Sequence, residues 1–332
     1  MAKLRYAQAL NAALREEMTR DPTVVVYGED IATYGGVFRV TQGLLQQFGP
    51  ERVLDTPISE ATLTGMAVGA SMMGLKPVLE IMYADFLPLC LDALINQASP
   101  ARFIWAGQVS LPFVLRTQGG AGVGAGSQHS KSLDVVVAHI PGIKVVAPVF
   151  PVDAKAMLIA AIRDCDPVVF LEHKLLYNTT GEVPDEVAPA VLGRAKVVCK
   201  GSDVTVIASS RMVLETLKAA ERAAELGISV EVVDVVSLRP LDVDTLCSSV
   251  RKTRHAVVVN EGWRFCGYAA ELSATIAEQC FFDLAAPIQR VGTFDRAIPK
   301  SLPLESSAIP NSDSILTALL ATRTFNRRSE VV

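Results

Sequence analysis

Residues 143–172 read IKVVAPVFPVDAKAMLIAAIRDCDPVVFLE, two apolar runs separated by a longer amphipathic segment. The first run extends from Ile143 to Pro148 and the second from Val168 to Glu172. Between them, residues 152–163 carry apolar side chains at helical spacing. Two short apolar strands joined by one helix are typical of a parallel sheet covered on both faces. This stretch therefore predicts a βαβ unit of an α/β protein.

The same alternation continues along the chain in both directions. Toward the N-terminus the sequence predicts a helix at 61–73, a strand at 77–81, a helix at 86–105 that Pro100 kinks or breaks, and a strand at 111–116. Toward the C-terminus it predicts strands at 204–208, 229–236 and 256–260 and helices at 212–226 and 268–278. Residues 175–194 are polar and contain Pro and Gly, as is typical of a domain boundary. We expect two α/β domains, 1–185 and 186–332, each a mostly parallel sheet flanked by helices.

The composition excludes several classes of function. The chain has 31 Lys and Arg against 35 Asp and Glu, a formal net charge of −4, so it lacks the dense basic surface that nucleic-acid binding requires. No apolar stretch approaches the roughly 18 residues of a membrane span, and the N-terminus has no secretory signal. The six cysteines form no C-x-x-C pair and lie in apolar segments, which predicts buried free thiols. We expect a cytoplasmic protein that binds neither nucleic acid nor a membrane, with an exposed tail after Thr322.

A glycine-rich loop at residues 119–126 is the first candidate for a binding role. From Gly120 the loop satisfies G-x-G-x-x-A, a pattern found in dinucleotide-binding turns. The context disfavours a nicotinamide site, because SQHSKSLD follows where a helix should open and no carboxylate lies about 20 residues later. We expect the glycines to let the backbone bend close to a bulky neighbour or to another chain.

Two polar positions also stand out, and each has an ordinary structural explanation. Ser59 precedes an apolar helix, where it would act as N-cap, and Glu60 would then be a first-turn carboxylate that the helix dipole favours. His129 follows the glycine-rich loop, and a lone histidine is more often structural or solvated than catalytic. Neither position identifies a function by itself.

Several separated blocks of sequence, taken in order, resemble one family. They are YGEDIATYGGVFRVTQGL at 27–44, DTPISEATLTGMAVGASMMGLKPVLEIMYADF at 55–86, GAGSQHS at 124–130, IPGIKVVAPVFPVDAKAMLIAAIRDCDPVVFLEHKLLY at 140–177 and VVVNEGWRFCGYAAELSATIAE at 257–278. The chain resembles, nearly end to end, the beta subunit of the thiamine-diphosphate-dependent decarboxylating component of 2-oxo acid dehydrogenase complexes. This is the pyruvate, branched-chain and acetoin group of the transketolase superfamily. The resemblance implies a transketolase-like pyrimidine-binding domain followed by a domain of the transketolase C-terminal type.

The resemblance implies roles for individual residues. Glu60 matches the glutamate that hydrogen-bonds a ring nitrogen of the thiamine pyrimidine and so promotes activation of the cofactor. Glu29 matches a second carboxylate near the cofactor. Three further residues match positions that line the pyrimidine pocket: Ile58, Met82 and Phe86. His129 matches an active-site histidine that orients the substrate carboxylate or donates a proton during acyl transfer.

The resemblance also implies a structural potassium ion held largely by backbone carbonyls. The matching positions are Phe113, Ala161, Ile162, Asp164 and Asp166. Relatives often have asparagine where this chain has Asp166, and the additional carboxylate could strengthen cation binding or change the identity of the ion. The alternative is that Asp164 and Asp166 only form a turn before Pro167.

A missing motif bears on the expected partners. Thiamine enzymes hold the diphosphate through a divalent ion on a GDG block, and no GDG occurs in this chain. In the family that block belongs to the alpha subunit, which should hold the magnesium ion. The resemblance therefore implies an α2β2 heterotetramer whose beta chain is inactive alone and whose product passes to a lipoyl-bearing acyltransferase. The mean hydropathy of +0.33 agrees with apolar surface reserved for a partner subunit.

The predicted activity is oxidative decarboxylation of a 2-oxo acid, of the pyruvate dehydrogenase type. Three alternatives stay open. The first is acetoin cleavage with the same cofactor, since IMYADFL at 81–87 is similar to acetoin-type subunits. The second is a non-catalytic assembly subunit, against which Glu60, Phe86 and His129 argue together because no fold requirement demands all three. The third is a nicotinamide dehydrogenase built on the glycine-rich loop.

Overall fold

The structure, a computed structural model, describes residues 1–325 and divides the chain into two compact units. The first unit contains Met1–Gly119 and Val136–Leu192, and the second contains Gly120–Val135 and the chain from Gly193 onward. The division is therefore not a single cut, because the glycine-rich segment belongs to the second unit. The domain limits 1–185 and 186–332 stay a prediction beside it. Most of the tail whose exposure was expected lies outside the described residues.

The first unit is built on a parallel sheet. Its strands are β1 (Ala2–Arg5), β2 (Val24–Gly28), β3 (Val53–Asp55), β4 (Lys76–Ile81), β5 (Val114–Gly119), β6 (Lys144–Val146), β7 (Val168–His173) and β8 (Thr180–Val183). The helices of this part of the chain are α1 (Tyr6–Arg20), α2 (Leu44–Phe48), α3 (Glu60–Met72), α4 (Leu87–Asp92), α5 (Ser99–Ile104), α6 (Asp134–Ala138) and α7 (Pro151–Arg163). Strands β6, β7, β5, β4, β2 and β3 lie side by side in that order and run parallel. Strands β1 and β8 form a separate antiparallel pair.

Continuous burial explains why the strands of this sheet are apolar throughout. In β5 every residue except the last is buried, and in β4 every residue except the first. A strand covered on both faces needs apolar side chains at successive positions and not only at alternate ones. The βαβ unit predicted from residues 143–172 is present as β6, α7 and β7.

The predicted helix at 86–105 is present as consecutive helical segments of different winding. A 3₁₀ turn at Ala84–Phe86 leads into α4, a π-helical segment occupies Ala93–Ala98, and α5 follows with Pro100 in its first turn. The helix continues through Pro100 without a break, so the expected early break is not observed. The irregularity is the π-helical segment directly before the proline, in which the hydrogen bonds span one residue more than in an α-helix.

The second unit has a smaller sheet with helices of its own. Its strands are β9 (Lys196–Cys199), β10 (Val204–Ala208), β11 (Val230–Asp234), β12 (Ser237–Arg239), β13 (Ala256–Trp263) and β14 (Gln289–Thr293). Its helices are α8 (Met212–Glu225), α9 (Val243–Thr253), α10 (Tyr268–Cys280), α11 (Leu302–Ala308) and α12 (Ser312–Thr324). Strands β14, β13, β10 and β11 run parallel in that order, and β9 closes the edge antiparallel. Two mostly parallel sheets flanked by helices confirm the predicted α/β class.

The cysteine prediction is only partly correct. All six thiols are free, as expected, and Cys90, Cys247 and Cys280 are buried. Cys165 and Cys266 are exposed instead, because each lies in a connecting segment outside the helices and strands where a neighbouring apolar residue does not imply burial.

None of the helices within residues 1–325 is long and apolar enough to cross a membrane.

Candidate active site

The carboxyl-terminal edge of the first unit's sheet gathers polar residues from several neighbouring strands. Glu29 directly follows β2, Glu60 opens the helix that follows β3, and Gln118 is the second-to-last residue of β5. In parallel α/β sheets, ligands bind in the crevice outside this edge because loops and helix N-termini converge there. The fold therefore brings these three residues to one edge of the sheet, where a ligand would be expected.

Glu60 is held at the first position of α3. Its side chain is 6% exposed. Ser59 occupies the predicted N-cap position, but its hydroxyl donates to the Thr62 hydroxyl and caps no backbone amide. A hydrogen bond joins this helix to the sheet: the hydroxyl of Tyr27, in β2, donates to the carbonyl of Leu63 at 3.0 Å. Glu60 is thus a buried first-turn carboxylate on a helix anchored to the central sheet, in a position that the helix dipole favours.

Glu29 has an unsatisfied carboxyl oxygen. Its Oε1 atom is buried and has no hydrogen-bond partner among the described residues. Burial raises the pKa of Glu29, and repulsion from the carboxylates of Glu60, Asp30 and Glu80 raises it further. A buried oxygen of this kind is costly unless a ligand or a water molecule hydrogen-bonds it. The residue is therefore suited to face a bound molecule with polar groups of its own.

The loop after β2 is fixed by a carboxylate and by one close approach of the backbone. Asp55, at the end of β3, accepts hydrogen bonds from the amides of Ala32 at 2.6 Å and Thr33 at 3.0 Å. Burial raises the pKa of Asp55, but these hydrogen bonds outweigh burial and lower it overall. A β-carbon at Gly28 would lie 2.6 Å from the carbonyl oxygen of Glu80 on the neighbouring strand. Only glycine fits at this position, because any β-carbon would clash with that oxygen.

A buried ionic network underlies this edge of the sheet, and the sequence analysis did not identify it. Arg116 of β5 is fully buried, and its Nη1 donates to Glu80 Oε2 of β4 at 2.7 Å. Its Nε and Nη2 donate to the two carboxylate oxygens of Glu172 on β7 at 2.7 and 2.9 Å. Tyr177 donates its hydroxyl to Glu172 at 2.6 Å. The sequence does contain a signal for this network, since Glu80, Arg116 and Glu172 are each a charged residue inside an apolar run. Their pairing becomes evident only once the order of the strands is known.

The residues at this edge fit the pyrimidine half of thiamine diphosphate. Both polar atoms of the fully buried Gln118 side chain lack a partner within residues 1–325, as does Oε1 of Glu29. An aminopyrimidine offers a donor and ring acceptors that could satisfy such groups. Met82 and Phe86 are half-buried after β4, and Ile58 is 77% exposed, so these side chains offer apolar surface. The predicted pocket residues stay a prediction, and Gln118 is an addition to them.

His129 lies in the second unit, whereas Glu29, Ile58, Glu60, Met82 and Phe86 all lie in the first. The histidine is half-buried, and its backbone amide donates to the carbonyl of Gly126 at 3.2 Å. Its catalytic role stays a prediction.

The predicted cation ligands lie together in the first unit, but their carboxylates already have cationic partners. Lys144 contacts both carboxylate oxygens of Asp164 at 2.7 Å and Asp166 at 3.3 Å, and Arg102 contacts Asp166 at 2.7 Å. The remaining predicted ligands contribute backbone carbonyls, and two of them already accept backbone hydrogen bonds: Phe113 from Val168, and Ala161 from Asp164. The ion pairs agree with the alternative of a structural turn. The potassium ion and its five predicted ligands, Phe113, Ala161, Ile162, Asp164 and Asp166, stay a prediction.

Asp134, which closes the segment carrying His129, gives a pH-dependent prediction. Burial raises the pKa of Asp134 to about 6, although Asn260 donates to its Oδ2 at 2.6 Å. Between pH 4 and 6 the Asp134 carboxyl is ionised in the unfolded chain but still protonated in the folded chain. The free energy of unfolding therefore falls as pH rises through this range, by about 2 to 3 kcal/mol in all. We expect Asp134→Asn to raise the thermal unfolding midpoint relative to wild type at pH 7.5 and to give little gain at pH 4.5. Equal differences at the two pH values would contradict the assignment.

The chain matches two family descriptions, each over most of one unit. Residues 2–180 match "Transketolase, pyrimidine binding domain", and residues 193–315 match "Transketolase, C-terminal domain". A solved structure described as "Split gene transketolase, inactive beta4 tetramer" superposes with a TM-score of 0.78, covering 97% of this chain and 98% of that one, at 22% identity. At that level of identity the superposition establishes the fold alone.

Two curated relatives are more similar in sequence. "Pyruvate dehydrogenase E1 component subunit beta-1, mitochondrial" of Arabidopsis thaliana is 45% identical over 320 residues, covering 95% of this chain and 88% of that protein. "Acetoin:2,6-dichlorophenolindophenol oxidoreductase subunit beta" of Cupriavidus necator is 42% identical over 326 residues, covering 95% and 96%. The family that the sequence blocks resemble and the two matched domains both agree with the names of these relatives. The chain therefore belongs to the transketolase-like family of beta subunits that includes the pyruvate dehydrogenase E1 beta subunit and its acetoin-oxidoreductase counterpart.

Proposed function

We propose that this chain is the beta subunit of a pyruvate-dehydrogenase-type component, which decarboxylates a 2-oxo acid and passes the acyl group to a lipoyl-bearing acyltransferase. The observation that carries the proposal is the pair of buried carboxyl groups, Glu29 and Glu60, at the carboxyl-terminal edge of the first sheet. One of them has an unsatisfied buried oxygen, and the second is buried at a helix N-terminus. Such an arrangement suits a polar heterocycle better than it suits a purely structural role.

The residues of this chain would hold and orient the cofactor rather than supply its reactive centre. Thiamine diphosphate, when bound, supplies the acidic carbon that adds to the substrate carbonyl and accepts the electrons released with carbon dioxide. Glu60 would hydrogen-bond a ring nitrogen of the pyrimidine and exchange a proton there. Its buried environment strengthens that hydrogen bond, because less water competes for the carboxylate. His129 would orient the substrate carboxylate or donate a proton during acyl transfer.

The partners follow from what this chain lacks. It contains no GDG block, so we propose that an alpha subunit holds the diphosphate and its magnesium ion in an α2β2 heterotetramer. The beta chain alone would then be inactive. A cytoplasmic location and a structural potassium ion belong to the same proposal.

The test is reconstitution with a cognate alpha subunit, which a GDG block in its sequence would identify. We expect decarboxylation of pyruvate that requires both chains and thiamine diphosphate, and transfer of the acyl group to a lipoyl acceptor. The beta chain alone should show no measurable turnover. Failure of the assembled and cofactor-loaded complex to decarboxylate any 2-oxo acid would contradict the proposal.

A second candidate is acetoin cleavage, which the 42% identity to the Cupriavidus necator oxidoreductase subunit favours. Both activities would use the same residues of this chain. Comparing kcat/KM for acetoin and pyruvate with the same complex decides between them, and a preference for acetoin would replace the first proposal.

A further inference from the structure

The geometry points to a positioning function within the second unit: two buried carboxylates, Glu261 and Glu305, fix the backbone segment Gly120–Val135 that carries His129. The inference rests on the proposed function for the catalytic role of His129. The fixing of the segment itself rests on contacts within the second unit alone.

The glycine run of this segment has little means of holding its own shape, although one backbone hydrogen bond, from the amide of Gly120 to the carbonyl of Lys131 at 3.1 Å, joins the two ends of the segment. Four glycines in it adopt left-handed φ angles: Gly120 at 88°, Gly122 at 105°, Gly124 at 69° and Gly126 at 79°. Glycine has no side chain to pack and loses more conformational entropy on ordering than any other residue. A defined conformation here must therefore be imposed by contacts from outside the glycine run.

Glu261 supplies the first of these contacts. It lies near the end of β13 and is 7% exposed. Its Oε1 atom accepts a hydrogen bond from the amide of Ala121 at 2.8 Å and another from the hydroxyl of Ser132 at 2.9 Å. One carboxylate oxygen thus joins two points that are far apart in the segment, next to the Gly120–Lys131 backbone hydrogen bond, and His129 lies between them. Hydrogen bonds to an ionised carboxylate are stronger than those between neutral groups.

Contacts from residues 298–305 fix the middle of the same loop. Glu305 of α11 is fully buried, and its Oε2 accepts the amide of Gly124 at 2.9 Å. Ser127 donates its hydroxyl to the carbonyl of Ile298 at 2.8 Å. A β-carbon at Gly124 would lie 3.3 Å from the Leu302 side chain, a tight contact, so the backbone packs closely against α11.

Apolar packing and a second polar pair complete the arrangement. Ala121 packs with Ile298 and Ile309 in a small buried cluster. At the end of the segment, Asp134 accepts the hydrogen bond from Asn260. Every one of these contacts comes from the C-terminal part of the chain. Because Glu261 and Glu305 act through backbone amides and a serine hydroxyl, they are positioning residues.

The test is Glu261→Ala in the assembled, cofactor-loaded complex. We expect amide hydrogen exchange in residues 120–135 to become at least about tenfold faster, because the hydrogen bonds of Glu261 to Ala121 and Ser132 are lost and only a backbone hydrogen bond still joins the ends of the loop. We expect kcat to fall by about tenfold to a hundredfold, since a small displacement of a catalytic group has effects of that size. The KM for the 2-oxo acid should change little. Glu261→Gln, which keeps an acceptor oxygen in the same place, should recover most of the exchange protection and of kcat.

Glu231 provides a matched control in the same unit. It is 2% exposed, and it too accepts a hydrogen bond from a backbone amide, that of Gly201 at 3.4 Å, and one from a serine hydroxyl, that of Ser249 at 2.5 Å. Glu231→Ala should lower the unfolding midpoint but leave both kcat and the exchange of residues 120–135 as in wild type. An equal fall of kcat in the two alanine variants would mean a general structural effect and would overturn the inference.

Three further outcomes separate this inference from the proposed function. Unchanged exchange of residues 120–135 in Glu261→Ala overturns the positioning function, whatever the enzyme activity. Full turnover by His129→Ala contradicts the catalytic role of the histidine, and with it the functional part of the inference. If His129→Ala is inactive while Glu261→Ala has a loosened loop and full kcat, the proposed function stands and the positioning function is wrong.

Discussion

Glu60→Gln is expected to lower kcat of the assembled enzyme by a factor on the order of 10³, the middle of the range for loss of a general acid or base. Glutamine has the same size and retains a polar head, so the first turn of α3 should keep its shape. It cannot ionise or exchange a proton with a ring nitrogen, and this is the step assigned to the carboxylate. Turnover should be measured with thiamine diphosphate in excess, alongside the binding of the cofactor to the variant complex.

A second first-turn carboxylate separates this role from helix capping. Glu215 lies in the first turn of α8 and is 6% exposed, the same value as for Glu60. Both Glu→Gln substitutions should remove a favourable interaction with the helix dipole worth about 0.3 to 1 kcal/mol. Only the substitution at Glu60 should reduce turnover. If Glu60→Gln kept turnover within about twofold of wild type with the cofactor bound, the carboxylate would be a capping residue and the activation step would be wrong.

The sequence predicts local features of the site better than features that depend on neighbouring strands. Glu60 at the start of a helix and the glycines that bend the chain both follow from short stretches of sequence. The environment of Glu29 does not, because its pKa is raised first by burial and then by the carboxylates of Glu60, Asp30 and Glu80, of which two are distant along the chain. Such effects require the order of the strands, which periodicity alone does not give.

The carboxylates that fix the His129 segment could not be identified from the sequence for the same reason. Glu261 bonds Ala121 across 140 positions in sequence, and Glu305 bonds Gly124 across 181. Nothing near either glutamate in the sequence indicates a partner, since a single acidic residue at the end of a strand is ordinary. A proline inside a helical pattern indicates an irregularity locally, and Pro100 does so for the predicted helix at 86–105. It does not indicate that the irregularity is a π-helical segment at Ala93–Ala98 or that the helix continues through the proline.

Arg116→Met is expected to lower the free energy of unfolding by about 3 to 5 kcal/mol, because it leaves the buried carboxylates of Glu80 and Glu172 facing each other without a cation. The network stabilises the folded state only when all three charged residues are present. Removing each charge from water is costly, and the opposite charges beside it offset that cost. An exposed ion pair offers the contrast. Arg222 pairs with Asp313, with side chains that are 43% and 77% exposed, and Arg222→Met should change stability by less than about 1 kcal/mol.

The pH dependence of the Arg116→Met deficit identifies its cause. In wild type, burial raises the pKa of Glu172 and the Arg116 guanidinium opposes that rise. Without the guanidinium the folded-state pKa of Glu172 rises further above its ordinary value, so this carboxyl group binds a proton as pH falls and the folded state recovers stability. The unfolding midpoint should therefore lie closer to that of wild type at pH 5 than at pH 8. Adding Glu80→Gln and Glu172→Gln to the variant should recover much of the loss at pH 8, because no uncompensated charge then remains. A deficit that is the same at both pH values, or that the two glutamines do not reduce, would show that lost packing and not unpaired charge is responsible.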